Sequence, residues 1–358
     1  MKRRDFLDLA SSGLRMPIGT DLVLHERADA QQISFSPRLL GQVVEDAARR
    51  YQTPLAVPLM DLRLEKADLL GMLGVAEADV ERVHFPTAPS EDDIDLVASA
   101  ATRPFPARHQ AHLGAIRYIR QETDLVPVGM AIGPFSLMTK LMADPITPIA
   151  MIGMGATAAE DEEVRGVERC LRLAELAVRR SVRAQVEAGA ATMLICEPAA
   201  NVVYLSPRQI SAGSNAFERL VMQPNLRLKQ QLADAGVSLI FHDCGQLDDF
   251  MVQQFAERLD PAVLSLGSSQ KLWESAAVVP KRVVLFGNLP TKTFYSDSAM
   301  PVEKVEQLTL ELIARMALAG HPHIPGSECD VLHVPEAAAT IRRKVEVMLT
   351  CGRSRYAA

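Results

Sequence analysis

"SLIFHDCG" (238–245) opens as an apolar run and closes on a histidine, an aspartate, a cysteine and a glycine. Its length, its composition and the terminal glycine read as one buried strand feeding a turn. Side chains alternate faces in an extended chain, so His242 and Cys244 point the same way and their donor atoms can converge. The H-x-C spacing is therefore either part of a metal chelate or a by-product of a tight turn.

Runs of the same kind recur on both sides of it. They are "RMPIGTDLVLHE" (15–26), "LAVPLMDL" (55–62), "LVPVGMAIGP" (125–134), "ATMLICEP" (191–198), "AVLSLGSS" (262–269), "RVVLFGNLP" (282–290) and "HIPGSECDV" (323–331). With 238–245 they predict eight strands. Helix-like segments separate them, most clearly Glu160 to Gly189 and Pro301 to Gly320, the second opening on a proline and closing on a glycine. Strand and helix in alternation predict an α/β fold, a single (β/α)8 TIM barrel over residues 1–358. No linker, charge block or repeat divides it. Residues 62–125, with "VHFPTAPSEDDID" and "ATRPFPARHQ", are too long and too punctuated for a crossover and predict an insertion near the C-terminal mouth, acting as a lid.

Composition narrows the function. A net charge of −6, five tyrosines and one tryptophan argue against nucleic acid. Cysteines at 170, 196, 244, 329 and 351 are odd in number and unclustered, which suits reduced thiols and a cytoplasmic setting rather than a disulfide framework. No run approaches the ~18 apolar residues of a membrane span. The start "MKRRDFLDLA" imitates a twin-arginine export signal, but Asp8, Ser11, Ser12, Gly13 and Arg15 interrupt the apolar stretch, so a short first helix is expected.

In barrels of this kind the working residues stand at the C-terminal strand ends, and the ends here are polar: Asp61, Glu197, His242 with Cys244, Ser268 with Ser269, Asn288, and Glu328 with Cys329. Two thiolates and an imidazole, from Cys244, Cys329 and His242, are donors that select Zn²⁺, and three protein ligands leave a fourth position open. Glu197, Asn288 and Asp61 are candidates for handling substrate. His109 and His112 lie three apart on an expected helix with no third ligand nearby and read as surface residues, and "MIGMGATA" (151–158) is too loose a glycine pattern to bind phosphate.

The chain resembles the uroporphyrinogen decarboxylase superfamily, in particular its zinc-dependent, corrinoid-linked methyltransferase branch. The motifs carrying the likeness are "GMAIGPFSLMTKL" (129–141), "AGAATMLICEPAA" (188–200), "LSPRQI" (205–210), "FHDCG" (241–245), "LFGNLP" (285–290) and "GSECDVLHVPEAAATIRRKVE" (326–346). The resemblance implies the barrel fold, zinc on His242, Cys244 and Cys329, and methyl exchange between a corrinoid and a small substrate, a thiol by preference. It also implies a separate corrinoid protein as partner, because no cobalt-ligating "D-x-H-x-x-G" string occurs. Departures are visible too. The arginine-rich "RQAGR" element that grips porphyrinogen carboxylates is replaced by "GTDLVLHERADA", with only Arg27, and Cys329 sits between Glu328 and Asp330 rather than glycines. The resting fourth ligand is thus open among Glu328, Glu197 and water. A metal-free decarboxylase and a non-catalytic metabolite-binding barrel are the alternatives.

Overall fold

A computed structural model of the chain describes residues 1–353. Its strands are β1 (Met16–Ile18), β2 (Leu55–Ala56), β3 (Val126–Ile132), β4 (Thr192–Cys196), β5 (Ser238–Asp243), β6 (Val263–Leu266), β7 (Val284–Phe286), β8 (His323–Ile324) and β9 (Gly326–Asp330). All pair in parallel, in the order β2 to β8, with β1 on β9. Strands β8 and β9 are one run interrupted at Pro325, which has no N–H to give a ladder. Counted so, the eight expected strands are present and form a (β/α)8 barrel.

Strands β1, β2 and β7 are much shorter than the sequence suggests, β7 keeping only Val284–Phe286 of 282–290. Of 15–26 only Met16–Ile18 is extended, and the apolar run that follows coils into the helix Thr20–Leu24. Of 55–62 only Leu55–Ala56 is extended, since Pro54 and Pro58 flank it. Short β2 leaves the upper part of β3 without a strand on that side, although β4 pairs it on the other. Gln185 replaces the missing strand, its Oε1 accepting from Met130 N and its Nε2 donating to Met130 O, both at 2.8 Å.

Each strand divides its side chains between two cores. Val128, Met130, Leu194, Ile240, Val263, Val284 and Ile324 fill the barrel interior together with Phe6 from the helix Arg3–Ser11. That is the expected first helix, and Arg3 fastens it by donating to the carbonyls of Asp260, Pro261 and Arg282. The alternate residues, among them Ala131, Met193, Ile195, Phe241 and Leu264, pack outward against helices in a cluster that runs from Leu22 to Met348. The two long helices form as expected, as Glu162–Glu187, capped by Asp161, and Val302–Ala319, closed by Gly320 at φ +59°. No helix among the described residues is long and apolar enough to cross a membrane.

Residues 62–125 include several helices. The helices Leu64–Met72 and Ala107–Glu122 pack into the barrel wall, against Glu162–Glu187 and Pro37–Arg50 respectively. His109 and His112, expected at the surface, are on the inner face of Ala107–Glu122 and are 1% and 6% exposed. They share that face with Ile116 and Ile119, and Ser181 Oγ lies 3.2 Å from His109 Nε2. Burial pushes His109 down to about 3, with the charges of His112 and Arg180 acting the same way, and burial brings His112 to about 4 against the pull of Asp61. Below the ordinary value of ~6.5 the unfolded chain therefore takes up protons that the native fold refuses, so both imidazoles cost stability as pH falls. NMR titration is expected to find both neutral at pH 5; a midpoint near ~6.5 for either would contradict this burial.

Candidate metal centre

Strand β5 carries its apolar residues to the barrel top and delivers His242 and then Cys244. Asp243 Oδ1 accepts Gly245 N at 2.8 Å and turns the chain there. The turn passes so close to the end of β6 that a Cβ at Gly267 would stand 2.5 Å from Cys244 O, so only glycine fits at 267. Cys329 comes from β9 on the other side of the barrel mouth. The ligand atoms of His242, Cys244 and Cys329 all lie within 4.8 Å of one another. Tetrahedral bonds of ~2.0 to 2.3 Å would place ligands roughly 3.5 to 3.8 Å apart, so modest side-chain rotation closes the set.

His242 is fixed in a way that leaves one ring nitrogen free for a ligand. It is 1% exposed, its Nδ1 is 2.8 Å from Ser265 Oγ on the adjacent strand, and its Nε2 has no hydrogen-bond partner among the described residues. A buried imidazole nitrogen without a partner is costly, and a metal ion would satisfy it. The nearby Cys329 draws the Cys244 thiol below the ordinary thiol range, with His242 and Lys292 adding to it against burial, while the same pairing drives Cys329 above that range. Two thiols and an imidazole this close together could bind a soft divalent cation, which would favour the deprotonated sulfurs.

The cavity above has a volume of about 750 Å³ and is lined by Cys329, Met60, Asp61, Arg63, Arg108, Lys140 and Lys292 among others. Asp61 lines it and is paired with Arg63 (Nε to Oδ1, 2.9 Å) and with Arg108 from the 62–125 segment. Burial pushes Asp61 up, but the Arg63 bond and the Arg108 charge hold it at about 2. Burial works against charge on Lys292 as well, yet Cys244, Glu328 and Cys329 keep it above the usual lysine range.

The other expected site residues are placed differently. Glu197 is fully buried, its oxygens accepting Phe135 N at 3.1 Å, Ser136 N at 2.8 Å and Asn225 Nδ2 at 2.8 Å. Glu328 accepts Ser268 Oγ at 2.6 Å and Lys292 N at 3.2 Å, strapping two mouth loops together. Neither belongs to the convergent donor group. Asn288 donates to the carbonyls of Gly267 and Gln270 at 2.7 and 2.8 Å, bracing the loop after β6. Arg27 pairs with Asp46 and stays outside the cavity. Ser265, Lys292, Arg63 and Arg108 were not anticipated. Ser265 had a signal, being a lone hydroxyl in the apolar "AVLSL", whereas the three cations depend on loop paths that no local pattern encodes.

The family model described as uroporphyrinogen decarboxylase (URO-D) matches residues 20–346. No curated protein sequence matches the chain. Among solved structures, a methyltransferase from Methanosarcina mazei superposes with a TM-score of 0.65 at 16% identity, over 97% of this chain and 98% of that one, a likeness of fold. The family match covers nearly the whole barrel together with all three donors, and on that ground the chain belongs to the uroporphyrinogen decarboxylase family.

Proposed function

We propose that the protein is a zinc-dependent methyltransferase that moves a methyl group between a corrinoid on a partner protein and a small thiol. The observation that carries this is the trio of His242 Nε2, Cys244 and Cys329 converging beside an open cavity, with the histidine nitrogen buried and unpartnered. A zinc ion held there would lower the pKa of a thiol that reached its open position. Ser265 fixes the ring of His242 so that Nε2 faces the donors, and Lys292 offsets the negative charge of the sulfurs. The Asp61–Arg108 pair closes the cavity on the side of the 62–125 segment. In the transfer a sulfur–carbon bond forms as the carbon–cobalt bond breaks, the electron pair stays with cobalt, and the thiol proton passes to solvent.

The rim supports a partner that covers the mouth. Leu332 lines the cavity, and Val203 and Tyr295 lie in the segments after β4 and β7; all three are large, apolar and exposed. Exposed apolar groups around a polar cavity mark a docking surface. The same cavity also favours a second reading, since its cations suit a carboxylate substrate and hence decarboxylation, although Asp61 already engages both arginines.

The test is a metal determination joined to a methyl-exchange assay. Protein purified with reduced thiols is expected to be colourless, to hold one zinc, to bind free corrinoid poorly and to demethylate a methyl-corrinoid protein when thiol is added. A metal-free preparation that decarboxylates would establish the second reading. Tightly bound corrinoid, or no exchange across a panel of thiols and methylated donors, would remove the first.

A further inference from the structure

A second cavity, of about 350 Å³, lies between the helix Pro37–Arg50 and the last helix, Ala338–Thr350, and shares no lining residue with the metal cavity. The helix Thr20–Leu24 stands between the two, giving Leu22 to this one and Asp21 and Leu24 to the other. Four arginines line it, at 15, 50, 342 and 353, in a chain whose net charge is −6. That concentration of positive charge is out of keeping with the acidic surface.

The cations are unevenly matched. Arg50 takes both oxygens of Glu26, at 2.6 and 2.8 Å, and Arg342 Nε approaches the same carboxylate at 2.9 Å. Arg15 and Arg353 meet no carboxylate among the described residues. Arg15 Nη1 donates to Cys351 O at 2.6 Å, and Arg353 Nη2 to Gly13 O at 2.9 Å, so each guanidinium commits one nitrogen to the backbone and keeps others for a ligand. Glu26 and Glu346 supply two negative charges beside the cavity. The C-termini of Pro37–Arg50 and Ala338–Thr350 each add roughly half a negative charge, which leaves an excess of about one positive charge. Burial holds Arg15 below the usual arginine range, and the Arg353 charge presses the same way against the influence of Cys351. The opposite wall is apolar, made by Leu22, Val345, Leu349 and the ring of Tyr51.

We infer that this cavity binds a small organic monoanion, with a carboxylate head between Arg15 and Arg353 and an apolar body against Leu22, Val345 and Leu349. The volume is within the range of ~300 to 1,000 Å³ typical of small-molecule sites. A carboxylate can accept from both guanidiniums at once, and the alkyl or aryl body replaces water on the leucine wall. The inference does not depend on methyl transfer, since it uses no residue of the metal cavity.

The experiment is calorimetric titration of the intact, zinc-loaded protein with hexanoate and, separately, with 1-hexanol. Hexanoate is expected to bind at least tenfold more tightly than the alcohol, the difference of about one charge-assisted hydrogen bond. Arg353→Ala should weaken hexanoate by about tenfold, and Leu349→Trp, which fills the cavity, should abolish its binding. Arg15 is left intact because it also caps the last helix, and melting curves establish that both variants are folded. Absence of binding at millimolar hexanoate, equal affinity for the alcohol, unchanged affinity in Arg353→Ala, or binding retained by Leu349→Trp would overturn the inference.

Discussion

Cys329→Ala protein is expected to purify with far less than one zinc per chain and without methyl-transfer activity, while melting within a few degrees of the parent. Loss of an outer-shell partner already costs metal sites about 10- to 100-fold, and on the proposed reading Cys329 would be one of three direct donors, so a larger fall in affinity should follow. Substitution also removes a neighbour that favours the deprotonated form of Cys244. Stability behaves differently. Cys329 is half-buried at the cavity wall and its side-chain contact is Met60 Sδ at 3.8 Å, so little core is lost. The cost should be about 1 kcal/mol, or roughly 2 °C in a chain of this size. Zinc content, exchange rate and melting temperature measured on one preparation decide the matter: full activity in a zinc-depleted variant would reject the mechanism, and a collapse in melting temperature would make Cys329 structural.

The parts of this molecule that could be read from sequence are those set by local rules. Parallel strands buried on both faces must be apolar throughout, so β3 to β7 stand out as runs such as "TMLIC" and "VVLF". Strand alternation similarly puts His242 and Cys244 on one side. Cys329 could be joined to them only as another strand-end thiol and through family likeness, because convergence across a barrel depends on closure of the whole sheet. The same global dependence hid the ladder ends. Thr20 Oγ1 bonds to Val57 O at 2.6 Å and Pro58 cannot donate, so β1 and β2 stop early although both runs are apolar. The histidines show the converse, a local signal left unused. His109, His112, Ile116 and Ile119 repeat at helical spacing, and the isoleucines mark that face as buried.

Glu197→Ala is expected to destabilise the fold by about 3 to 5 kcal/mol, the largest stability effect among the strand-end residues. Glu197 does not line the metal cavity; it lies beneath it, fully buried between β4 and the helix Pro134–Leu141. Two of its three hydrogen bonds take the Phe135 and Ser136 N–H groups, orphan donors at the start of that helix, and the third holds Asn225. The helix approaches so closely that a Cβ at Gly133 would fall 2.0 Å from Glu197 Cδ. Truncation to alanine strands all three donors in a dry interior and leaves a void, and the melting temperature should fall by roughly 6 to 10 °C. Glu197→Gln should recover only part of this, since its amide N–H₂ would face a backbone N–H where an oxygen now accepts. Burial raises the Glu197 carboxyl above its ordinary range, while the donors from Asn225, Ser136 and Phe135 pull it back, so the site suits an acceptor that stays in place. A positioning residue of this kind should leave the methyl-transfer rate of folded, zinc-loaded variant within a few fold of the parent. A kcat lost by orders of magnitude at unchanged melting temperature would instead put Glu197 against the substrate.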